Sequence, residues 1–139
     1  MRKSASALLL LFCVPCAAAL NPAAVYEKLV KANGIKKLPL YVRSVGEGNC
    51  RFACTNGISI TITDELLSVI DNEDELAGVL GHEMGHAIHH DEMKADILGL
   101  DYAEKAGYNR CVAAQLLKKW GADDDHPDGG TRYRNTHCP

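Results

Sequence analysis

Five consecutive residues, His82-Glu83-Met84-Gly85-His86, have the types and spacing of a metal-dependent hydrolase site. Residues four apart lie on one face of an α-helix, so the imidazoles of His82 and His86 can converge on one ion. Glu83 lies on the adjacent flank and can accept a proton from a metal-bound water without binding the metal. Zinc lowers the pKa of such a water to about 7. The motif therefore predicts Zn²⁺ held by His82 and His86, with Glu83 as the general base.

A catalytic zinc site needs a third protein ligand and one open position. Glu92 is the best candidate, with Asp96 one helical turn behind it. On one straight helix, however, Glu92 would lie about 15 Å from His82 along the axis, and His90 about 12 Å. The chain must therefore bend near residues 89–91, although neither glycine nor proline marks a bend there.

The helix that carries the motif is predicted to begin near Glu73, because the acidic residues before it favour the positive end of a helix dipole. Its apolar positions follow the helical period as far as Ile88. Gly78, Gly81 and Gly85 each lower helix propensity by roughly 1 kcal/mol relative to alanine. We therefore expect another element to pack very closely against this helix.

The remaining elements are predicted from caps, turns and periodicity. Helices are expected at residues 23–31, 64–70, 91–106 and 109–120. Strands are expected at residues 38–45 and 52–63, with an Asn56-Gly57 turn before the alternating Ile58 to Thr63 segment. The tail, residues 122–139, is polar and turn-rich, without a sustained period. The predicted fold class is α+β, mainly helical, with a small β-sheet.

The amino terminus has the layout of a secretory signal peptide at residues 1–19. A basic start precedes an apolar run at residues 7–14, and three alanines, residues 17–19, offer a cleavage site. The run is too short to span a bilayer comfortably, although an uncleaved membrane anchor is the alternative. We expect an exported protein, periplasmic or secreted, with one domain at residues 20–139. Membrane association is compatible with this reading but not required.

The cysteine count predicts disulfides, and the net charge excludes one class of partner. Cys13 and Cys16 lie in the predicted signal peptide, and four cysteines remain, Cys50, Cys54, Cys111 and Cys138. An even number in an exported chain predicts two disulfides, whose three possible pairings the sequence leaves open. The formal net charge of −3 offers no basic patch for a nucleic-acid partner.

The chain resembles the HtpX-like family of zinc metallopeptidases, which includes the CAAX prenyl proteases and quality-control peptidases of the periplasm and mitochondria. The similarity runs from about Asn49 to the carboxyl terminus and includes residues 49–53, 76–86, 92–100, 106–108 and 136–139. It implies a compact, mainly helical gluzincin fold. It also implies that Glu92, the first residue of an E-x-x-x-D pattern, is the third zinc ligand. The Asp of that pattern, Asp96, would orient the site from behind the ligands.

The resemblance raises two further expectations, and the chain departs from the family in two ways. The strand at residues 57–63 would be an edge strand that holds the substrate backbone. His137 would reach the site as a transition-state donor or an inhibitory fourth ligand, unless residues 122–139 form a disordered tail. The family usually places tens of residues before the Glu92 helix, whereas only residues 87–91 intervene here, and its chains continue past Pro139.

The predicted function is zinc-dependent endopeptidase activity on peptide or unfolded protein substrates, with an expected role in periplasmic protein quality control. The alternative is a catalytically degenerate relative that acts as a chaperone-like or partner-binding module; a truncated product without a stable fold is a third reading. Retention of Glu83 favours the enzyme, because a structural zinc site needs no base. The acidic residues 123–125 with His126 are interpreted as a solvated loop rather than a metal site. Substrate specificity and oligomeric state stay open.

Overall fold

The computed structural model describes residues 19–120 and 126–139. These residues form, in chain order, α1 (Pro22–Asn33), β1 (Leu40–Arg43), β2 (Ala53–Thr55), β3 (Ile60–Thr63), α2 (Asp64–Val69), α3 (Glu73–His86), α4 (Glu92–Lys105), α5 (Arg110–Ala114), a 3₁₀ helix (Gln115–Lys119) and α6 (Gly129–Asn135). The predicted α+β class, mainly helical with a small sheet, is confirmed. The predicted signal peptide, apart from Ala19, and the acidic residues 123–125 lie outside the described residues.

None of the helices in the described ranges combines the length and the apolar character that a membrane crossing requires.

The helices begin and end where the sequence provides caps. The side chain of Asn21 accepts a hydrogen bond from the first turn of α1, and Gly34 ends that helix with φ 63°. Asn72 caps α3 and Asp91 caps α4 in the same way. A side-chain acceptor at this position satisfies a backbone N–H that otherwise has no partner in the helix. The Asp91 cap fixes the start of α4 directly after the short segment, residues 87–91, that joins α3 to α4.

The sheet has the strand order β1-β3-β2, with β1 parallel and β2 antiparallel to β3. The prediction of one strand over residues 52–63 is wrong, because the chain reverses between β2 and β3. The Asn56 side chain accepts hydrogen bonds from the N–H groups of Ile58 and Ser59, and Gly57 adopts φ 81°. This is the usual chemistry of a tight turn, in which Asn binds nearby backbone and Gly supplies a positive φ.

The prediction of residues 57–63 as a substrate-binding edge strand is also wrong. β3 pairs on both sides, so its backbone groups are already used by its neighbours. Among the described strands, β2 and β1 are at the edges, and β2 lies on the side of α3. Any extended peptide that adds to the sheet beside α3 must therefore pair with β2.

Glycines on the motif helix mark close packing, as predicted. A Cβ on Gly81 would overlap the carbonyl oxygen of Gly99, and one on Gly85 would lie 3.0 Å from the carbonyl oxygen of Ala95. The pairing of 81 with 99 and of 85 with 95 shows that α3 and α4 run antiparallel. A Cβ on Gly78 would lie 3.1 Å from the carbonyl oxygen of Ala113 in α5. Backbones can approach this closely only where side chains are absent.

The core is divided into two clusters. The larger cluster packs α1, β3 and α2 against α3, with Leu29, Ile60 and Leu80 fully buried. The smaller cluster joins α4, α5, the 3₁₀ helix and α6, and it contains Leu100, Ala113, Ala114, Leu117 and Tyr133. The first cluster fixes the buried face of α3. The second cluster fixes the packing of α5, the 3₁₀ helix and α6 at one end of that helix.

The carboxyl-terminal region departs from the prediction in two ways. The expected helix over residues 109–120 changes to 3₁₀ geometry after Ala114. The tail expected to lack regular structure contains α6, which Asp128 caps. Of the three possible pairings, the disulfides are Cys50–Cys54 and Cys111–Cys138, and the second joins α5 to the residue before the carboxyl terminus.

Candidate metal centre and cleft

The connector between α3 and α4 consists of residues 87–91 and reverses the chain without glycine or proline. The N–H groups of Ile88 and His89 both donate to the carbonyl of Gly85, at 3.0 and 2.8 Å. The α3 helix thus ends by satisfying its own last carbonyls, and Asp91 starts α4 at once. The break expected near residues 89–91 is confirmed, and it places the first residue of α4 opposite the histidines.

His82, His86 and Glu92 form a compact cluster in which one possible ligand atom of each lies within 4.8 Å of the others. Nε2 of His86 is 3.0 Å from Oε1 of Glu92, and Nε2 of His82 is 3.4 Å from Oε2. Both Nε2 atoms therefore face the same carboxylate. The structure brings together all three residues that the sequence singles out as metal ligands.

Nδ1 of each histidine lies close to an oxygen atom on the side away from the ligand cluster. Nδ1 of His86 lies 3.0 Å from the carbonyl oxygen of His89. Nδ1 of His82 lies 2.9 Å from Oδ1 of Asp96, although the contact is not aligned as a hydrogen bond. A partner on Nδ1 orients the ring and leaves Nε2 for the metal. Asp96 thus occupies the orienting position that the sequence predicts for it.

The cluster fits a metal ion by its chemistry and by its one unsatisfied oxygen. Two imidazole nitrogens and one carboxylate oxygen form the three-ligand set of many catalytic zinc sites. Oε2 of Glu92 is buried and has no hydrogen-bond partner. A buried carboxylate oxygen without a partner is costly, and a cation would supply the missing interaction.

Burial and neighbouring charges shift the pKa values of these groups in opposite directions. Burial alone would lower the pKa of His82, but Asp96 and Glu92 raise it to about 9. For Glu92, the two histidines overcome burial and hold the pKa well below the ordinary range. Without a metal, His82 and Glu92 therefore form an ion pair at neutral pH. Metal binding must release protons, because an imidazole binds a metal only when that nitrogen is deprotonated.

Glu83 is buried within α3, and its carboxyl group lines the cleft together with both histidines. Burial raises its pKa above the ordinary value, and the charges of His82 and His86 counteract part of that increase. A carboxylate whose pKa is raised towards neutrality is a better proton acceptor. Glu83 thus has the position and the electrostatics that a general base requires.

The cleft is a cavity of about 900 Å³ that runs along α3. Residues 49–57, which include β2, form one wall, and His82, Glu83 and His86 of α3 also line the cleft. One end is apolar and is lined by Phe52, Val79, Leu100, Leu116, Leu117 and Trp120. Phe52 and Trp120 stack there with ring centroids 6.1 Å apart, which joins the β2 wall to the 3₁₀ helix.

His137 is not brought to this cavity. It is exposed, it adopts φ 60°, and it is not among the residues that line the cleft. Two residues that the sequence reasoning passed over line the cleft instead. His126, interpreted as part of a solvated loop, has its Nε2 3.7 Å from Oε1 of Glu92. Arg132 makes two hydrogen bonds to Asp96.

Arg132 was missed because its local sequence does not suggest a helix. Two glycines, Gly129 and Gly130, precede it, and such a pair is more typical of a turn. The available signal was Asp128, an N-cap residue that begins α6 and accepts a hydrogen bond from Thr131. An N-cap residue such as Asp128 indicates where a helix begins, but it does not indicate which part of the protein that helix contacts.

The profile described as Peptidase family M48 matches residues 20–94, just over half of the chain. The chain belongs to peptidase family M48. This result confirms the resemblance to HtpX-like peptidases and places the metal-ligand cluster inside the matched segment. The cluster of His82, His86 and Glu92 is accordingly a candidate for the metal site of this metallopeptidase family. α5, the 3₁₀ helix and α6 lie beyond the match.

A curated relative is the Protease HtpX homolog of Thermoplasma volcanium, which is 42% identical over 83 residues. The alignment covers 58% of this chain and 26% of the relative. The chain thus spans about a quarter of the length of this relative. No solved structure matches the chain significantly.

Proposed function

We propose that the protein is a zinc-dependent endopeptidase that hydrolyses peptide bonds in unfolded or extended polypeptides. One observation carries the proposal: one possible ligand atom each of His82, His86 and Glu92 lies within 4.8 Å of the others, and both histidines line a large cleft. Glu83 lies beside them on the same helix and faces the same cleft. A metal-ligand cluster with an adjacent base is what hydrolysis requires and what a purely structural metal site does not need.

Each side chain has a separate task in this proposal. His82, His86 and Glu92 would hold the zinc ion, which when bound supplies Lewis acidity and an activated water. Glu83 accepts the proton of the attacking water on its carboxylate and passes it to the leaving amine. Asp96 keeps the His82 ring turned so that Nε2, and not Nδ1, faces the ligand cluster.

The cleft favours an extended substrate. β2 is an edge strand beside α3, so a peptide can pair with its backbone whatever the peptide sequence is. The apolar end around Phe52 and Trp120 can accept a large apolar side chain. Apolar side chains next to free backbone are accessible mainly in unfolded chains. We therefore propose unfolded or partly unfolded proteins as the substrate class.

We also propose that the protein acts after export, in the periplasm or outside the cell, where it contributes to protein quality control. Residues 1–19 have the layout of a signal peptide. The two disulfides are consistent with that location, because such bonds persist in oxidising compartments.

The test replaces the base and retains the ligands. Glu83→Gln should keep zinc bound at about one ion per chain while cleavage of a permanently unfolded protein, reduced and carboxymethylated α-lactalbumin, falls about 10²–10⁴-fold. Glu73→Gln, at an exposed residue in the first turn of the same helix, is the matched control and should cleave like the parent. Turnover by Glu83→Gln at the parent rate would refute the mechanism.

The same assay separates the enzyme from the catalytically degenerate alternative. A parent chain that binds zinc and the unfolded protein but leaves it intact would favour a partner-binding module. A parent chain that binds no zinc would refute the metal site itself.

A further inference from the structure

We propose that Arg132 is a positioning residue of the metal centre and that the Cys111–Cys138 disulfide keeps it in place. The inference rests on the proposed metal site and adds a part of the chain that lies outside the M48 match. On this proposal, the arrangement of the metal ligands in α3 and α4 depends on the position of α6.

Arg132 binds Asp96 through two parallel hydrogen bonds. Its Nε donates to Oδ2 at 2.8 Å and its Nη2 donates to Oδ1 at 2.6 Å. Only 4% of Arg132 and 3% of Asp96 are exposed, so water offers little alternative to these bonds. A bidentate arginine fixes the plane of a carboxylate, which a single hydrogen bond does not.

The fixed carboxylate then orients a metal ligand. The Asp96 oxygen that accepts from Nη2 of Arg132 is the same oxygen that lies 2.9 Å from Nδ1 of His82. A rotation of the Asp96 carboxylate would remove this partner and free the imidazole to turn. The series Arg132, Asp96, His82 thus links α6 to the inward-facing Nε2.

Arg132 also balances charge. Three carboxylates, those of Glu83, Glu92 and Asp96, lie around the site, and a buried carboxylate is costly unless a cation is close. Nη2 of Arg132 lies 3.5 Å from Oε2 of Glu92, in addition to its bonds with Asp96. Because a guanidinium stays charged throughout the useful pH range, this contribution does not depend on pH.

The α6 helix that carries Arg132 is too short to be stable without support. Its first residue, Gly129, donates to the carbonyl of Trp120 at 3.0 Å. The Tyr133 hydroxyl accepts from Gln115 and donates to the carbonyl of Pro139. Cys138 then closes the segment covalently onto α5. The disulfide is the one covalent bond in this group of contacts, so its loss should let α6 and Arg132 move away from Asp96.

The experiment measures zinc affinity by competition with a chromophoric chelator at fixed pH. Arg132→Met should bind zinc about 10–100-fold more weakly, the usual cost of removing a group that orients a ligand. Arg134→Met, an exposed arginine on the same helix, is the matched control and should bind like the parent. Arg132→Lys keeps the charge without the fork and should recover only part of the loss.

Two further measurements separate positioning from a general loss of stability. In an Asp96→Asn background, Arg132→Met should cause little additional loss, because the two residues act through one path. The visible absorption of the Co²⁺-loaded protein should shift in Arg132→Met and not in Arg134→Met. Unchanged or tighter zinc binding by Arg132→Met, or full additivity with Asp96→Asn, would overturn the proposal.

A third variant retains Arg132 and removes the Cys111–Cys138 disulfide. It tests the proposal even if Arg132→Met does not fold. Cys111→Ser combined with Cys138→Ser should weaken zinc binding about tenfold, whereas Cys50→Ser combined with Cys54→Ser should leave it unchanged. Parent-like affinity after loss of the Cys111–Cys138 bond would refute the role of the disulfide. A parent chain that binds and cleaves normally while every variant matches it would refute this inference and leave the proposed function intact.

Discussion

Two regions that meet at the metal centre are stabilised in different ways. The ligand hairpin, α3 and α4, consists of two helices of 14 residues that pack through glycines. The C-terminal layer, α5 with the 3₁₀ helix and α6, consists of short helices joined by one disulfide, a few hydrogen bonds and one close backbone contact at Gly129. The ligand hairpin provides every predicted metal ligand, and the C-terminal layer provides Arg132.

The difference indicates where each region tolerates change. In the ligand hairpin, contact between backbones leaves no room for added atoms, but many residues share the stabilisation. In the C-terminal layer, most surface positions should tolerate substitution. The few residues that attach α6 should not, because no other contacts can replace theirs. Substitutions at matched positions in the two regions should therefore differ in how far their effects spread through the molecule.

Gly99→Val should have the largest effect. Its Cβ would overlap the backbone of Gly81 and His82, which cannot move aside as a flexible side chain could. Overpacking of this kind costs typically 1–3 kcal/mol, and rigid backbone on the other side should bring the loss to about 4 kcal/mol. Urea unfolding of the metal-free protein measures it. Gly130→Ala is the control, since its Cβ would meet only side-chain atoms, and an equal loss there would contradict the contrast.

Gly129→Ala should loosen the C-terminal layer without unfolding the ligand hairpin. The added Cβ would overlap the carbonyl oxygens of Leu117 and Trp120. We expect a loss of about 2 kcal/mol, concentrated in α6. Hydrogen exchange should show faster exchange in α6 and parent-like protection in α3. If both regions lose protection together, they form one cooperative unit and the comparison fails.

The metal-free ligand hairpin should lose stability at alkaline pH. The pKa of His82 is raised from 6.5 to about 9, so its stabilising contribution is complete below pH 6.5 and is lost as the pH rises through 9. The contribution of Glu92, whose pKa is lowered from 4.5, is lost instead as the pH falls. Between pH 6.5 and 9 we expect a decrease on the order of 2 kcal/mol.

Zinc should abolish that alkaline decrease, because a histidine that binds the metal is already neutral at its inward nitrogen. Thermal unfolding of the metal-free and zinc-loaded forms across this pH range measures the effect. A metal-free protein of constant stability from pH 6.5 to 9 would show that the ion pair between His82 and Glu92 contributes little.

The smallest effects are expected at two helix caps, one in each region. Asn72→Ala removes the cap of α3 and Asn109→Ala removes the cap of α5. Each should cost about 1 kcal/mol. In hydrogen exchange, Asn72→Ala should reduce protection throughout the ligand hairpin, whereas Asn109→Ala should reduce protection in α5 alone. A global loss from Asn109→Ala would contradict the local character of the C-terminal layer.

The sequence was sufficient to predict the two helices of the ligand hairpin because the information that specifies them is local, whereas the break between them was inferred only because Glu92 cannot reach the histidines on one straight helix. The i, i+4 spacing of His82 and His86, the caps and the glycines each act within a few residues. It could not predict that β3 would be central, because strand order depends on which distant segments pair. It predicted His137 rather than Arg132 as the carboxyl-terminal site residue. Which of these meets the site depends on how α6 packs against α5, and no local pattern records that packing.

The connector of five residues between α3 and α4 has a consequence for how the protein folds. His82 and Glu92 are only ten residues apart, so the loop that brings them together closes at a small entropic cost. Asp96 and Arg132 are 36 residues apart, and their contact must wait for the C-terminal layer. Contacts between near neighbours in sequence form faster than distant ones. The three metal ligands should therefore assemble early in folding, as a nascent site that captures its ion before α6 arrives.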